Sequence, residues 1–79
     1  MLTEDALKDI LVDVLLIQDQ DYRDDAGPED VAGWDSFGTA EIVEALERSC
    51  GWRMDLDDMV SIRTIGDLKA ILRRAGVLA

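Results

Sequence analysis

The sequence predicts an all-α fold: three longer helices and one short one, with a long loop between the first two. Three observations carry this. Apolar residues recur at helical spacing in three separate segments. Each segment has a capping residue before it, a glycine after it, or both. No stretch alternates apolar and polar residues over the length of a strand. At 79 residues the expectation is a single domain, residues 1–79. Closely packed helices are among the few ways to stabilise so small a core. Hydrophobic residues make up 48% of the chain and aromatics only 5%, so that core is aliphatic.

The first helix is expected over about residues 3 to 17. Thr3 can cap it, and Glu4 and Asp5 suit its positive end. Leu7, Ile10, Leu11, Val14 and Leu15 form the buried stripe. Residues 18–35 read as a loop, with a turn at Gly27-Pro28 and with Val31 and Trp34 pinning it to the core. Loops of this length in compact domains are often functional. Its acids do not make a calcium loop. Counting from Asp19, Arg23 falls on a ligand position, Asp24 stands where a glycine is needed, and Asp30 replaces the closing glutamate.

The second helix is expected from about Ser36 to Cys50, stopped by Gly51. Thr39, Ile42, Val43, Leu46 and Cys50 share its core face, so Cys50 reads as a buried filler. Phe37, Ala40, Glu41, Glu44 and Glu47 share another face, an apolar head followed by an acidic row. A short third helix covers about Asp57 to Ser61. The fourth begins after Thr64, which with Asp67 resembles a capping box. Ile65, Leu68, Ile71 and Leu72 form its buried stripe, Arg73 and Arg74 suit its last turn, and Gly76 ends it.

Charge and composition exclude several functions. The net charge is −10, and residues 1–47 hold 14 acids against 2 bases, Lys8 and Arg23. Such a surface repels a phosphate backbone, so nucleic-acid binding is not expected. It suits partners with basic patches. With no histidine and one cysteine, Cys50, neither a disulfide nor a zinc or iron–sulfur site is expected. The N-terminus lacks the basic segment of a signal peptide, and no apolar run approaches membrane-spanning length. A monomeric, free-standing cytoplasmic chain is the expectation. A serine hydrolase is excluded for want of a base: Lys8 and Lys69, the only lysines, lie on other helices.

What remains is Ser36, a hydroxyl at the start of a helix, beside Asp35. Asp35-Ser36-Phe37 is followed in helix register by Gly38, Glu41, Val43, Leu46 and Glu47. With the acidic helical chain and the long first loop, this pattern resembles the acyl carrier proteins over nearly the whole length, and the expected fold is then their four-helix bundle. The resemblance implies that Ser36 receives 4′-phosphopantetheine from coenzyme A and that the arm's thiol carries an acyl or aminoacyl thioester. The carrier itself would have no catalysis. A helix N-terminus suits the new phosphate, and Gly38 is expected to leave the approach to Ser36 uncrowded. Ser36 is also expected as a possible N-cap.

By the same resemblance, partner contacts fall on Asp35, Phe37, Thr39, Ala40, Glu41, Val43, Glu44, Glu47 and Met54. Asp35 would face the transferase and its metal, and Met54 and Ile62 would line the arm's exit or the core. Glu47 is read as a free recognition charge. The implied partners are a phosphopantetheinyl transferase, an adenylating ligase, and an acyltransferase or polyketide synthase with a basic docking patch. Phe37 in place of leucine, Glu44 in place of an apolar contact, and Arg48 and Arg53 depart from the fatty-acid pattern. The stretch around Ser36 is similar to D-alanyl carrier proteins and to carriers of amino-acid units in bacterial polyketide and peptide biosynthesis. The preferred reading is an aminoacyl or short acyl carrier for such a pathway, with antibiotic biosynthesis among its settings. The alternatives are D-alanyl transfer to cell-wall polymers, fatty-acid synthesis, or an acidic helical interaction module that is never modified.

Overall fold

The computed structural model describes residues 1–79 and contains four helices: α1 (Glu4–Leu15), α2 (Ser36–Cys50), α3 (Leu56–Ser61) and α4 (Ile65–Arg74). The all-α expectation holds, with three longer helices and one short. A single 3₁₀ turn, Asp19–Asp21, interrupts the long loop. The two chain ends meet at an isolated parallel bridge, Leu2 to Leu78. There the Leu2 N–H donates to the Val77 carbonyl at 2.9 Å and the Ala79 N–H to the Leu2 carbonyl at 2.8 Å.

Helix α1 starts where Thr3 allows, with its hydroxyl accepting the Ala6 N–H at 3.1 Å. It ends two residues before the expected boundary. Leu16 turns into the left-handed region (φ 57°) and its N–H closes onto the Val12 carbonyl. That reversal sends Ile17 into the core and leaves Leu16 exposed. The inward face is Leu7, Leu11 and Leu15, with Ile10 and Val14 only half-buried at its edges. Ile42 and Leu46 of α2 and Ile65, Leu68 and Leu72 of α4 complete an aliphatic core. Ala26, Val31 and Trp34 reach into it from the loop, as the sequence leads one to expect of Val31 and Trp34. Cys50 is half-buried against the core rather than enclosed.

Both ends of α4 are satisfied. The Thr64 hydroxyl accepts the Asp67 N–H at 3.1 Å, while the Asp67 carboxylate reaches one residue further back than a capping box requires, to the Arg63 N–H at 3.0 Å. The long loop supplies the remaining acceptors: the Ile65 N–H donates to the Ala26 carbonyl and the Gly66 N–H to the Asp24 carbonyl. At the far end, Gly76 takes φ 75°, a conformation that glycine adopts without a Cβ penalty. The Val77 N–H then returns to the Leu72 carbonyl and the Gly76 N–H to the Arg73 carbonyl, a Schellman closure.

The loop is also held by a charge that sequence reading does not single out. Lys69, on α4, is only 7% exposed. Its ammonium lies 2.7 Å from Glu4 at the start of α1 and 2.7 Å from Asp24 in the loop. It stands 4.7 Å from the centre of the Tyr22 ring, and Arg73 adds a 3.5 Å contact to Glu4. Burial works against its charge, but the hydrogen bonds to Asp24 and Glu4 outweigh it and hold the ammonium protonated well above its ordinary range. In return the hydrogen bond from Lys69, reinforced by its charge, lowers the pKa of both carboxyls. Burial raises the Tyr22 pKa, and its hydroxyl is enclosed without a hydrogen-bond partner.

Helix α3 buries none of its residues completely. The turn that leads into it is fixed from α2, where the half-buried Glu47 carboxylate accepts the Met54 N–H at 2.9 Å.

Two stability predictions follow from these contacts. Lys69→Met keeps the apolar stem but not the ammonium, and is expected to cost about 1–2 kcal/mol, since water can resolvate the exposed carboxylates. Glu4 and Asp24 have depressed folded values, so their contribution is complete above the ordinary 4.5 and 3.8 and is lost as pH falls through the lowered ones. Lys69 is shifted upward, so its share is complete below 10.5 and is lost only on rising past its raised folded value. Urea melts of wild type and Lys69→Met should therefore converge in strong acid and separate near neutrality; a constant gap across that range would contradict the assignment. Glu47→Ala removes the acceptor for Met54 and is expected to cost about 1–2 kcal/mol. A loss below about 0.5 kcal/mol in the same melts would return Glu47 to the class of free surface charges.

Candidate functional site

The site is built where the long loop enters α2. Asp35, not Ser36, is the N-cap: its Oδ1 accepts the Gly38 N–H at 2.8 Å. Ser36 is the first residue of the helix, so its side chain is free of capping duty and exposed. The Ser36 and Phe37 N–H groups have no partner within the protein, as expected for the first turn of a helix. Asp35 is exposed as well, which leaves its second oxygen facing solvent.

Gly38 is buried, and its missing side chain has a packing role. A Cβ there would sit 2.8 Å from the Gly33 carbonyl oxygen and 3.3 Å from Leu15 Cδ2. The missing side chain lets the first turn of α2 lie directly on the loop's end and on the end of α1. Behind the serine, Trp34 is 3% exposed, and its indole Nε1–H donates to Thr39 Oγ1 at 2.8 Å.

An open groove of about 460 Å³ adjoins Ser36. Pro28 and Trp34 from the loop, Asp35 and Thr39, and Met59, Val60 and Ile62 from the far side border it. Sequence reading placed Ile62 near this exit and missed Met59 and Val60. The available signal was Leu56, Met59 and Val60 at i, i+3, i+4 on a helix too short to bury them. Leu56 and Val60 are 67% and 68% exposed.

The expected partner residues separate into three groups. Phe37 (73% exposed), Ala40 and Glu41 face solvent freely, together with Asp35. Glu44 also faces solvent but is paired with Arg48 at 3.2 Å, an i, i+4 contact worth a few tenths of a kcal/mol that partly neutralises the acidic row. The others are turned to internal work. Val43 is 6% exposed because its position on the helix points inward, so it is no part of an apolar surface patch. Thr39 accepts the Trp34 indole and is half-buried. Glu47 holds the Met54 N–H, and Met54 packs against the core.

Neither a histidine nor a free lysine lies beside Ser36, and the adjoining carboxylate is the helix cap. Lys8 pairs with Asp19 at 3.3 Å, Lys69 is engaged by Glu4 and Asp24, and Asp35 is occupied as a cap. No cluster of three or more acidic, cysteine or histidine side chains is arranged to hold a metal ion. No helix is long and apolar enough to cross a membrane.

An exposed serine at the first position of a helix, with unpartnered N–H groups and a groove beside it, fits a prosthetic group joined through phosphate. Among protein families, the one described as the phosphopantetheine attachment site matches residues 5–72. That span runs from the first turn of α1 into the last turn of α4 and contains every residue of the site. The chain belongs to the phosphopantetheine attachment family of carrier domains, whose prosthetic group is 4′-phosphopantetheine and whose members work with a modifying transferase and with synthetic enzymes.

Proposed function

We propose that Ser36 is the attachment residue, and that residues 1–79 form one carrier domain that moves an aminoacyl or short acyl group between enzymes of bacterial natural-product biosynthesis. The observation that carries the attachment is the position of Ser36: exposed, first in α2, released from capping by Asp35, and bordering the groove. Attachment forms a bond from Ser36 Oγ to a phosphorus of coenzyme A and breaks the diphosphate bridge. The adenosine 3′,5′-bisphosphate half leaves, and the hydroxyl proton passes to a base. We assign that base to the transferase, since the one carboxylate adjoining Ser36, Asp35, is the cap of α2. The free N–H groups of Ser36 and Phe37 are the donors available to the new phosphodiester. Once bound, the arm supplies a thiol that holds cargo as a thioester.

Catalysis is the work of the partners: a phosphopantetheinyl transferase, an adenylating ligase that loads the arm, and an acyltransferase or polyketide synthase that unloads it. Asp35, Phe37, Ala40 and Glu41 form the surface they meet, with Glu44 tempered by Arg48. Charges at such a rim steer encounter and select partners more than they add affinity, which suits a protein that must leave each enzyme. The short, polar cargo is supported by the departures from the fatty-acid pattern at Phe37 and Glu44 and by Trp34, which fills the space behind the serine.

The test is intact mass after incubation with coenzyme A, magnesium and a promiscuous phosphopantetheinyl transferase. Wild type is expected to gain one phosphopantetheine and Ser36→Ala none. A folded wild type that gains nothing, or a Ser36→Ala that gains the same mass, would overturn the assignment. Comparing adenylating ligases on the loaded protein then distinguishes aminoacyl from acyl cargo.

A further inference from the structure

Two hydrogen bonds are nested around Ser36. The inner one runs from the Gly38 N–H to the Asp35 carboxylate, and the outer one from the Trp34 indole to the Thr39 hydroxyl, each 2.8 Å long. Ser36 and Phe37 are the residues enclosed by both. The Ser36 N–H and hydroxyl make no hydrogen bond within the protein, and the Thr39 N–H, which donates to the Asp35 carbonyl at 2.9 Å, closes the backbone around the same two residues. The position of its hydroxyl is therefore set by the backbone of this first turn and by the two side-chain clamps that hold the turn to the loop.

The outer clamp is unlike the other side-chain contacts of the chain. It is the one hydrogen bond between two side chains in which neither group is charged; the rest are ion pairs on the surface or at Lys69. It is also costly to break. The indole is buried, and a buried N–H without an acceptor loses the full energy of its hydration. Trp34 is 3% exposed, so its indole N–H has to find its acceptor inside the protein, and Thr39 on the first turn of α2 supplies it. The Thr39 oxygen has other uses open to it, because a threonine within a helix commonly bonds back to its own backbone. Both residues border the groove beside Ser36. The pairing thus joins the last buried residue of the loop to the helix that carries the serine, across the serine itself.

We infer that the Trp34–Thr39 hydrogen bond is a positioning device for the modification of Ser36: it holds the loop's end and the first turn of α2 in one arrangement, and so presents the serine oxygen to the incoming phosphorus in a fixed direction. This rests on Ser36 being the attachment residue. Neither Trp34 nor Thr39 needs to touch the transferase. A displaced nucleophile costs rate steeply, because in-line attack at phosphorus tolerates little misplacement. Of the docking surface, Ala40 and Glu41 lie outside the clamp, beyond Thr39 on α2, and both are exposed. The loss should accordingly fall on turnover and not on recognition.

The experiment is steady-state transfer of phosphopantetheine to the full chain, with the carrier concentration varied and coenzyme A and magnesium saturating. Trp34→Phe removes the donor together with part of the buried indole's volume, Thr39→Val removes the acceptor and keeps the shape, and Thr39→Ser keeps the oxygen. The expected result is a kcat about tenfold lower for Trp34→Phe and Thr39→Val, with KM within about twofold of wild type. Thr39→Ser should recover wild-type kcat, and the double variant Trp34→Phe/Thr39→Val should be no slower than the worse single one. Circular dichroism and melting above the assay temperature establish that each variant is folded. If Trp34→Phe is not folded, the Thr39→Val and Thr39→Ser pair decides alone. An unchanged kcat, a loss confined to KM, or Thr39→Ser as slow as Thr39→Val overturns the inference while Ser36 attachment stands. If wild type and Ser36→Ala both remain unmodified, the inference falls together with the attachment it rests on.

Discussion

Three segments of this chain meet at one buried ammonium. Lys69 belongs to α4, Glu4 to the start of α1, and Asp24 and Tyr22 to the loop that leads to Ser36. The loop is long, and closing it against the bundle costs chain entropy that local contacts do not repay. A charge taken out of water must find partners, and here both of them lie on the segments that need joining. The backbone bonds from Ile65 and Gly66 to the loop carbonyls share that task and at the same time satisfy the open end of α4. The loop therefore arrives at Trp34 already fixed in direction.

From that entry the site follows by short steps. Trp34 goes into the core and leaves Asp35 at the cap position. The Asp35 carboxylate takes the Gly38 N–H, so Ser36 becomes the first helical residue with nothing else to do. Gly38 permits the close approach of the loop's end to the helix, and the apolar residues that α3 cannot bury form the other bank of the groove. A phosphate-linked arm is well served there: exposed hydroxyl, free N–H groups, an adjoining surface that is partly apolar. Surface acidity is concentrated in the first half of the chain and is partly offset on α4 by arginines that pair with Glu4 and Asp58.

Several side chains on α2 illustrate how one helix divides its labour. Spacing alone puts Glu41, Glu44 and Glu47 in a row. In the folded chain Glu41 is free, Glu44 is paired with Arg48, and Glu47 anchors the turn that leads to α3. Val43 and Thr39 are drawn inward on the opposite side. An acidic helix face is thus part open surface and part scaffold, and the fraction given to each depends on what packs beside it.

Much of this was readable from the residues in order. Helix number and type, the stripes Leu7-Leu11-Leu15 and Ile65-Leu68-Leu72, the caps at Thr3 and Thr64, the glycine stop at Gly76, and the serine that opens α2 all depend on interactions within about one helical turn, which sequence spacing encodes directly. The sequence by itself determined the all-α class, the aliphatic core and the candidate serine. Tertiary structure decided the rest. The cap fell to Asp35 and not Ser36 because the loop's approach fixes which residue leaves extended geometry last. Lys69 was buried, Glu47 and Thr39 were taken up internally, and Met59 and Val60 came to face Ser36, because each of these depends on a partner from a different segment. Spacing along the chain states which residues share a face; only the packing of the helices and the loop states what that face meets.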